Sequence, residues 1–152
     1  PHSWGYTFDL IYLGDSSFFV VTDGNMTRQP TEQEIEFNRP FQLGKLAGGL
    51  DFAQHPTDAE KFEFNLEAED MLVLGTDGLF DNLFEDEILS IISSMRKEPA
   101  SHIAESLAIA ATDKGQSLER TPFEKTSQEA GYSHKGGKTD DTTIIVVKAE
   151  SL

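Results

Sequence analysis

The chain has 152 residues, with 12 basic and 27 acidic side chains and a net charge of -15. That length suits one domain able to bury a core, and the acidic excess excludes nucleic-acid partners and docking on anionic membranes, both of which need basic surface. The absence of Cys excludes a disulfide scaffold and thiolate metal sites, and no apolar run approaches the ~18 residues of a membrane span, so no membrane insertion is expected.

The chain opens Pro1-His2-Ser3-Trp4-Gly5, without Met and without a signal or transit pattern. It is therefore expected to follow a removed leader or to start inside a larger protein. Leu10-Ile11-Tyr12-Leu13 predicts a strand stopped by Gly14-Asp15-Ser16. Phe18-Phe19-Val20-Val21 predicts another, turning at Asp23-Gly24, a pair that tolerates the positive φ of a two-residue hairpin turn. Residues 33–49 read as a polar, Gly-rich connection. Phe62, Phe64 and Leu66 alternate with Lys61, Glu63 and Asn65, the period of a half-buried strand. After a turn at 67–70, Met71-Leu72-Val73-Leu74 predicts a strand covered on both faces, ending at Gly75-Thr76-Asp77-Gly78.

Residues 86–96 predict a helix with Ile88, Leu89, Ile91, Ile92 and Met95 on one stripe, acids early and bases late. Beyond Pro99 a second helix is expected, capped by Ser101 and burying Ile103, Leu107, Ala108, Ala110 and Ala111. Residues 116–138 are polar and without period, which predicts a long functional loop. Residues 142–148, rich in β-branched side chains, predict a final strand. The fold class is α+β, in a single unit over residues 1–152.

Asp77 and Asp140 each stand where a predicted core strand meets a tight turn. Such a carboxylate is rigid on one side and open on the other. Hard divalent cations such as magnesium or manganese want few anionic oxygens at fixed positions, with water completing the shell. Asp77 and Asp140 are the natural pair for one cation. Two lookalikes fail. Gly136-Gly137-Lys138-Thr139 lacks the upstream Gly and following helix of a phosphate-binding loop, and residues 77–87 lack the alternating oxygen ligands of an EF-hand.

Gly75-Thr76-Asp77-Gly78-Leu79-Phe80-Asp81-Asn82-Leu83 and Gly137-Lys138-Thr139-Asp140-Asp141-Thr142-Thr143 resemble the two C-terminal signature motifs of the metal-dependent protein phosphatases, the type 2C family. Leu13-Gly14-Asp15-Ser16, Pro40-Phe41-Gln42-Leu43 and Thr121-Pro122-Phe123 extend the likeness, and Ala130-Gly131-Tyr132 resembles the mitochondrial and plastid branch. The resemblance implies a β-sandwich flanked by helix pairs, with a binuclear Mg2+ or Mn2+ site that hydrolyses phosphoserine or phosphothreonine through a metal-activated water. It implies that Asp77 and Asp140 ligate one metal, with Asp81 supporting that shell or a weaker additional cation. Gly78 and Asp141 are expected just behind these ligands, with Asp15 stabilising its turn and His134 given at most a minor catalytic role.

The family's first-half Asp-Gly-His-Gly-Gly turn, with its bridging Asp and its His, is absent from these residues, as is a basic phosphate clamp. The chain therefore resembles the C-terminal half of such a domain. Its expected partners are a phosphoprotein substrate and an N-terminal half, or another chain, covering the exposed sheet. The branch resemblance implies a mitochondrial matrix or plastid location, with the cytoplasm as the alternative. The competing functional expectation is a catalytically inactive phosphatase-like module serving as a structural or binding subunit.

Overall fold

A computed structural model describes residues 6–27, 30–44 and 53–150. In chain order the elements are strands β1 (Tyr6–Tyr12), β2 (Ser17–Thr22), β3 (Asn25–Thr27), β4 (Glu34–Glu36), β5 (Arg39–Pro40), β6 (Glu60–Leu66) and β7 (Met71–Gly75). Helices α1 (Asp77–Phe80), α2 (Glu85–Ser94), α3 (Ala100–Gly115) and α4 (Pro122–Glu129) follow, and β8 (Ile144–Lys148) comes last. A sheet in the order β3-β2-β7-β8 and a β1–β6 ladder are both antiparallel. Asp23 and Gly24, at φ 52° and 77°, make the turn between β2 and β3, as their sequence predicts.

The strand periodicities decide what lies between these layers. Phe62, Phe64 and Leu66 of β6 and Phe8 and Leu10 of β1 face Phe18, Val20 and Leu72 of the larger sheet. The Phe18 ring stacks on Phe64 at 5.6 Å and meets Phe62 edge-on at 5.1 Å. The opposite face of the larger sheet presents Phe19, Val21, Met71 and Val73 to Leu79, Ile88, Ile92, Ile103 and Leu107 of the helices. Strand β7 is thus covered on both faces, as its unbroken apolar run predicts. Each large apolar side chain buried in these layers contributes about 1.5–3 kcal/mol.

Four expectations are corrected. Residues 116–138 are not all loop, because α4 forms within them. Helix α3 begins at Ala100 with Pro99 at its N-cap, so Ser101 is not the cap. Residues 34–40 fold into the small β4–β5 hairpin, while 45–49 of the same stretch lie outside the described residues. Strand β8 starts at Ile144 rather than 142, since the Thr143 backbone pairs with Thr76 instead. Among the described residues, helices cover only the larger sheet. The outer face of the β1–β6 ladder carries Thr7, Asp9, Ile11, Lys61, Glu63 and Asn65, all exposed.

Candidate metal centre

Strand β7 delivers the chain into the site. Gly75 ends the strand, Thr76 breaks the direction, and Asp77 opens the one-turn helix α1. Thr76 fastens the second Asp turn to the first. Its Oγ1 donates to the Asp141 carbonyl at 2.9 Å and accepts from the Thr143 N–H at 3.1 Å, and its own N–H reaches the Thr143 carbonyl at 3.1 Å. Gly78 permits this approach. A Cβ there would stand 2.5 Å from Thr142 Oγ1 and 2.8 Å from the Asp141 oxygen, inside van der Waals contact. Gly78 therefore acts through close packing, and Asp141 holds the turn through its backbone.

Asn82 makes the second clamp. It is fully buried, and its Nδ2 donates to the carbonyls of Gly78 at 3.0 Å and Lys138 at 2.9 Å. Its Oδ1 accepts from the Lys138 N–H at 2.9 Å. Both hydrogen-bonding groups of the Lys138 backbone are thus fixed by one side chain 56 residues away.

With its backbone so held, Lys138 extends its ammonium among three carboxylates. Nζ lies 2.8 Å from Asp77 Oδ2, 2.7 Å from Asp81 Oδ2 and 3.3 Å from Asp140 Oδ2. The three aspartates singled out from the sequence therefore converge on one point. Burial works against the lysine's charge, but the hydrogen bonds to Asp77 and Asp81 and their charges outweigh it and hold the ammonium above the ordinary lysine range. At Asp140 burial is again opposed, here by the Asp141 N–H and by Lys138, which together hold the carboxyl below the usual carboxylate range.

Around this point the charge is unbalanced. A pocket of about 90 Å³ is lined by Asp15, Glu32, Glu34, Asp77, Asp81 and Lys138, and Phe37 and Phe123 close it. Burial raises the Asp81 carboxyl to about 6, although hydrogen bonding to Lys138 opposes the rise. Glu32 is exposed over part of its side chain, yet its carboxyl, desolvated and facing Asp81 and Glu34, is pushed up to about 7. Asp15 is raised by burial and then by Asp77. It belongs to the acidic wall as well as to its turn.

The donor set fits a hard cation, since anionic oxygens from two rigid turns meet at one place with an ammonium at their focus. The spacing fits the ammonium better than a metal, whose oxygens would sit at about 2.0–2.1 Å for magnesium. Accordingly, among the described residues no group of three carboxylates or imidazoles is arranged to hold an ion as it stands.

His134 does not enter this cluster. Its Nε2 lies 3.1 Å from the Gly137 carbonyl and its ring meets the Phe123 ring edge-on at 4.8 Å, so it braces the loop behind Lys138. His102 is exposed on α3, and His2 lies outside the described residues. Sequence reasoning missed Lys138, Glu32 and the clamping role of Asn82. Lys138 stands two residues before Asp140 in a Gly-rich turn, a position from which a long cation can fold back onto neighbouring carboxylates; that was the available signal. For Glu32, in a polar stretch without pattern, none was available.

Comparison with known proteins gives this geometry a lineage. A sequence profile described as Stage II sporulation protein E (SpoIIE) matches residues 6–150. The chain belongs to the SpoIIE/type 2C phosphatase family. It is 39% identical over 138 residues to probable protein phosphatase 2C 62 of Arabidopsis thaliana, covering 88% of this chain and 18% of that protein. It is 39% identical over 142 residues to probable protein phosphatase 2C 80 of the same plant, covering 90% of this chain and 33% of that one. It is also 32% identical over 144 residues to the human protein phosphatase PTC7 homolog, covering 88% and 46%. The chain spans a third or less of those plant relatives.

Among solved structures, the photosystem II phosphatase PBCP superposes with a TM-score of 0.84 at 28% identity, covering 96% of this chain and 60% of that one. The Mycobacterium tuberculosis phosphatase PstP/Ppp, at 16% identity and a TM-score of 0.53, shares the fold. The mixed helix-and-sheet architecture of the type 2C phosphatases is therefore the architecture of this chain.

Proposed function

We propose that the protein to which this chain belongs is a metal-dependent serine/threonine protein phosphatase. The observation that carries the proposal is the convergence of Asp77, Asp81 and Asp140 within 2.7–3.3 Å of one cationic nitrogen, inside the two motifs that mark the family. Asp77 and Asp140 would hold a magnesium or manganese ion, with Asp81 as the weaker partner. The chemistry supplied by such an ion is acidification of a water and neutralisation of charge on the phosphoryl oxygens. This chain's own part is to orient the carboxylates through Thr76 and Asn82 and to keep the pocket narrow with Phe37 and Phe123.

These residues supply about half of the catalytic domain in this reading. At the β7–β8 end of the sandwich a groove of about 280 Å³ exposes Leu10 and Leu74 of the layer between the sheets, together with Ile145. Ile145 is 55% exposed, and such a patch calls for a covering segment. A first-half segment would both cover it and bring the remaining metal ligands. The substrate is a phosphoprotein, and the branch resemblance favours a mitochondrial or plastid setting, which organelle fractionation would check.

In the full-length protein, Asp77→Asn or Asp140→Asn should abolish manganese-dependent release of phosphate from a phosphoserine peptide. Retained turnover at saturating manganese would defeat the assignment. A lysine inside the carboxylate cluster also favours a second reading, an inactive binding module. That reading requires the wild-type protein itself to show no turnover at any manganese concentration.

A further inference from the structure

Lys138 is a residue for which the phosphatase chemistry just described has no use. A lysine that merely solvated itself would point outward, where its ammonium keeps its water shell. This one is only 19% exposed and accepts the cost of desolvation. Both hydrogen-bonding groups of its backbone are committed to Asn82. Its ammonium also lies over the Phe123 ring, 5.1 Å from the centroid. The lysine is therefore aimed, and its target is the point where three carboxylate oxygens meet.

We propose that Lys138 is a built-in counter-cation that occupies the metal position in the metal-free protein and must be displaced for a divalent cation to bind. The proposal rests on the reading of Asp77, Asp81 and Asp140 as metal ligands. Without a cation, these carboxylates face one another and the acidic wall of Asp15 and Glu32 at close range. Like charges so placed repel strongly in a partly desolvated pocket. One ammonium at 2.7–3.3 Å from three of them relieves that repulsion and holds the two Asp turns in position. The same ammonium excludes a divalent ion, because two cations cannot share one set of oxygens. Lys138 thus preorganises the ligands and at the same time weakens metal affinity, so that filling the site takes a higher metal concentration. The backbone clamp on Asn82 stays in place during the exchange, and only the flexible stem of the side chain has to move.

The test uses the full-length protein with manganese chloride alone as the probe. Lys138→Met keeps the stem and removes the charge. Calorimetric titration should show manganese binding at least tenfold tighter in this variant than in the wild type, while its metal-free melting temperature falls. Equal or weaker binding by a folded Lys138→Met protein overturns the proposal. A second measurement needs no variant: amine-reactive labelling read by mass spectrometry should find Lys138 protected without metal and reactive at saturating manganese. Protection that persists at saturation overturns displacement even if Lys138→Met fails to fold. If neither protein binds manganese, the metal reading itself fails and the proposal falls with it, whereas binding that is merely insensitive to Lys138 removes the proposal alone.

Discussion

Asn82 and Lys138 lie 56 residues apart, yet the side-chain amide of the first satisfies both the N–H and the C=O of the second. The amide does for the Asp140 turn what a neighbouring strand would do for a ladder residue. It fixes the Lys138 backbone and so the point from which the side chain leaves the turn, while the three carboxylates hold the ammonium at its far end. Removing the amide should unpair several buried groups at once. Asn82→Ala is expected to cost about 2–4 kcal/mol, from the ~1–3 kcal/mol penalty of each buried group left unsatisfied. Urea unfolding of the metal-free protein would measure it. A loss under 1 kcal/mol would mean that water replaces the amide and that the clamp is dispensable.

Gly78 carries a second expectation. A methyl group there would meet Thr142 Oγ1 at 2.5 Å and the Asp141 oxygen at 2.8 Å. The backbone oxygen cannot turn aside, so α1 and the Asp140 turn must separate. Overpacking of this kind costs about 1–3 kcal/mol, and Asp77 and Asp140 ride on the two parts that move. Gly78→Ala should therefore lower both the melting temperature and manganese affinity. Unchanged affinity with lowered stability would show that the two turns are positioned independently.

The acidic pocket gives the metal-free protein a pH dependence of definite sign. Glu32 is raised to about 7 and Asp81 to about 6, both chiefly by burial, so between about pH 4 and pH 7 the folded chain holds protons that the unfolded chain releases. Their stabilising contribution is complete below about pH 4 and is lost as pH rises through those raised values. The lowered Asp140 acts in the opposite sense, but only below its ordinary value of 3.8. Calorimetry with a chelator present should show the melting temperature falling from pH 4.5 to pH 7.5, with a shallower fall in Glu32→Gln. A melting temperature that rises across this range would contradict the crowding of carboxylates described here.

What the sequence made legible follows from how local each signal is. The alternation of Phe62, Phe64 and Leu66 and the unbroken run from Met71 to Leu74 depend only on which faces are buried, and both became the strands they predict. The stripe carrying Ile88 and Ile92 likewise became α2. Asp77, Asp81 and Asp140 were legible because each sits in a recognisable turn, and they meet in space. Lys138 was not legible. Its role depends on the clamp by Asn82 and on the packing of Gly78 against the Asp141–Thr142 backbone, neither of which shows as a period or a spacing. Helix α4 escaped because Phe123 is its one large buried apolar side chain, too little for a stripe.

The start of α4 did carry a signal of another kind, Thr121 followed by Pro122, a capping residue and then a proline whose fixed φ suits the first helical position. Thr121 is fully buried, and its Oγ1 accepts from the Glu124 N–H at 3.1 Å and donates to the Gly136 carbonyl at 2.8 Å. Glu124 returns the link by accepting from the Gly136 N–H at 2.7 Å. One hydroxyl thus caps the helix and ties it to the loop that leads into Lys138. Thr121→Val keeps the volume and removes both bonds. It should cost about 1–2 kcal/mol, the usual range for a lost N-cap and a buried hydrogen bond. Hydrogen exchange would check where the loss falls: amides of residues 123–129 and 136–138 should exchange faster together, while those of β7 stay protected. Faster exchange in α4 alone would show that the cap stabilises the helix without governing the lysine loop.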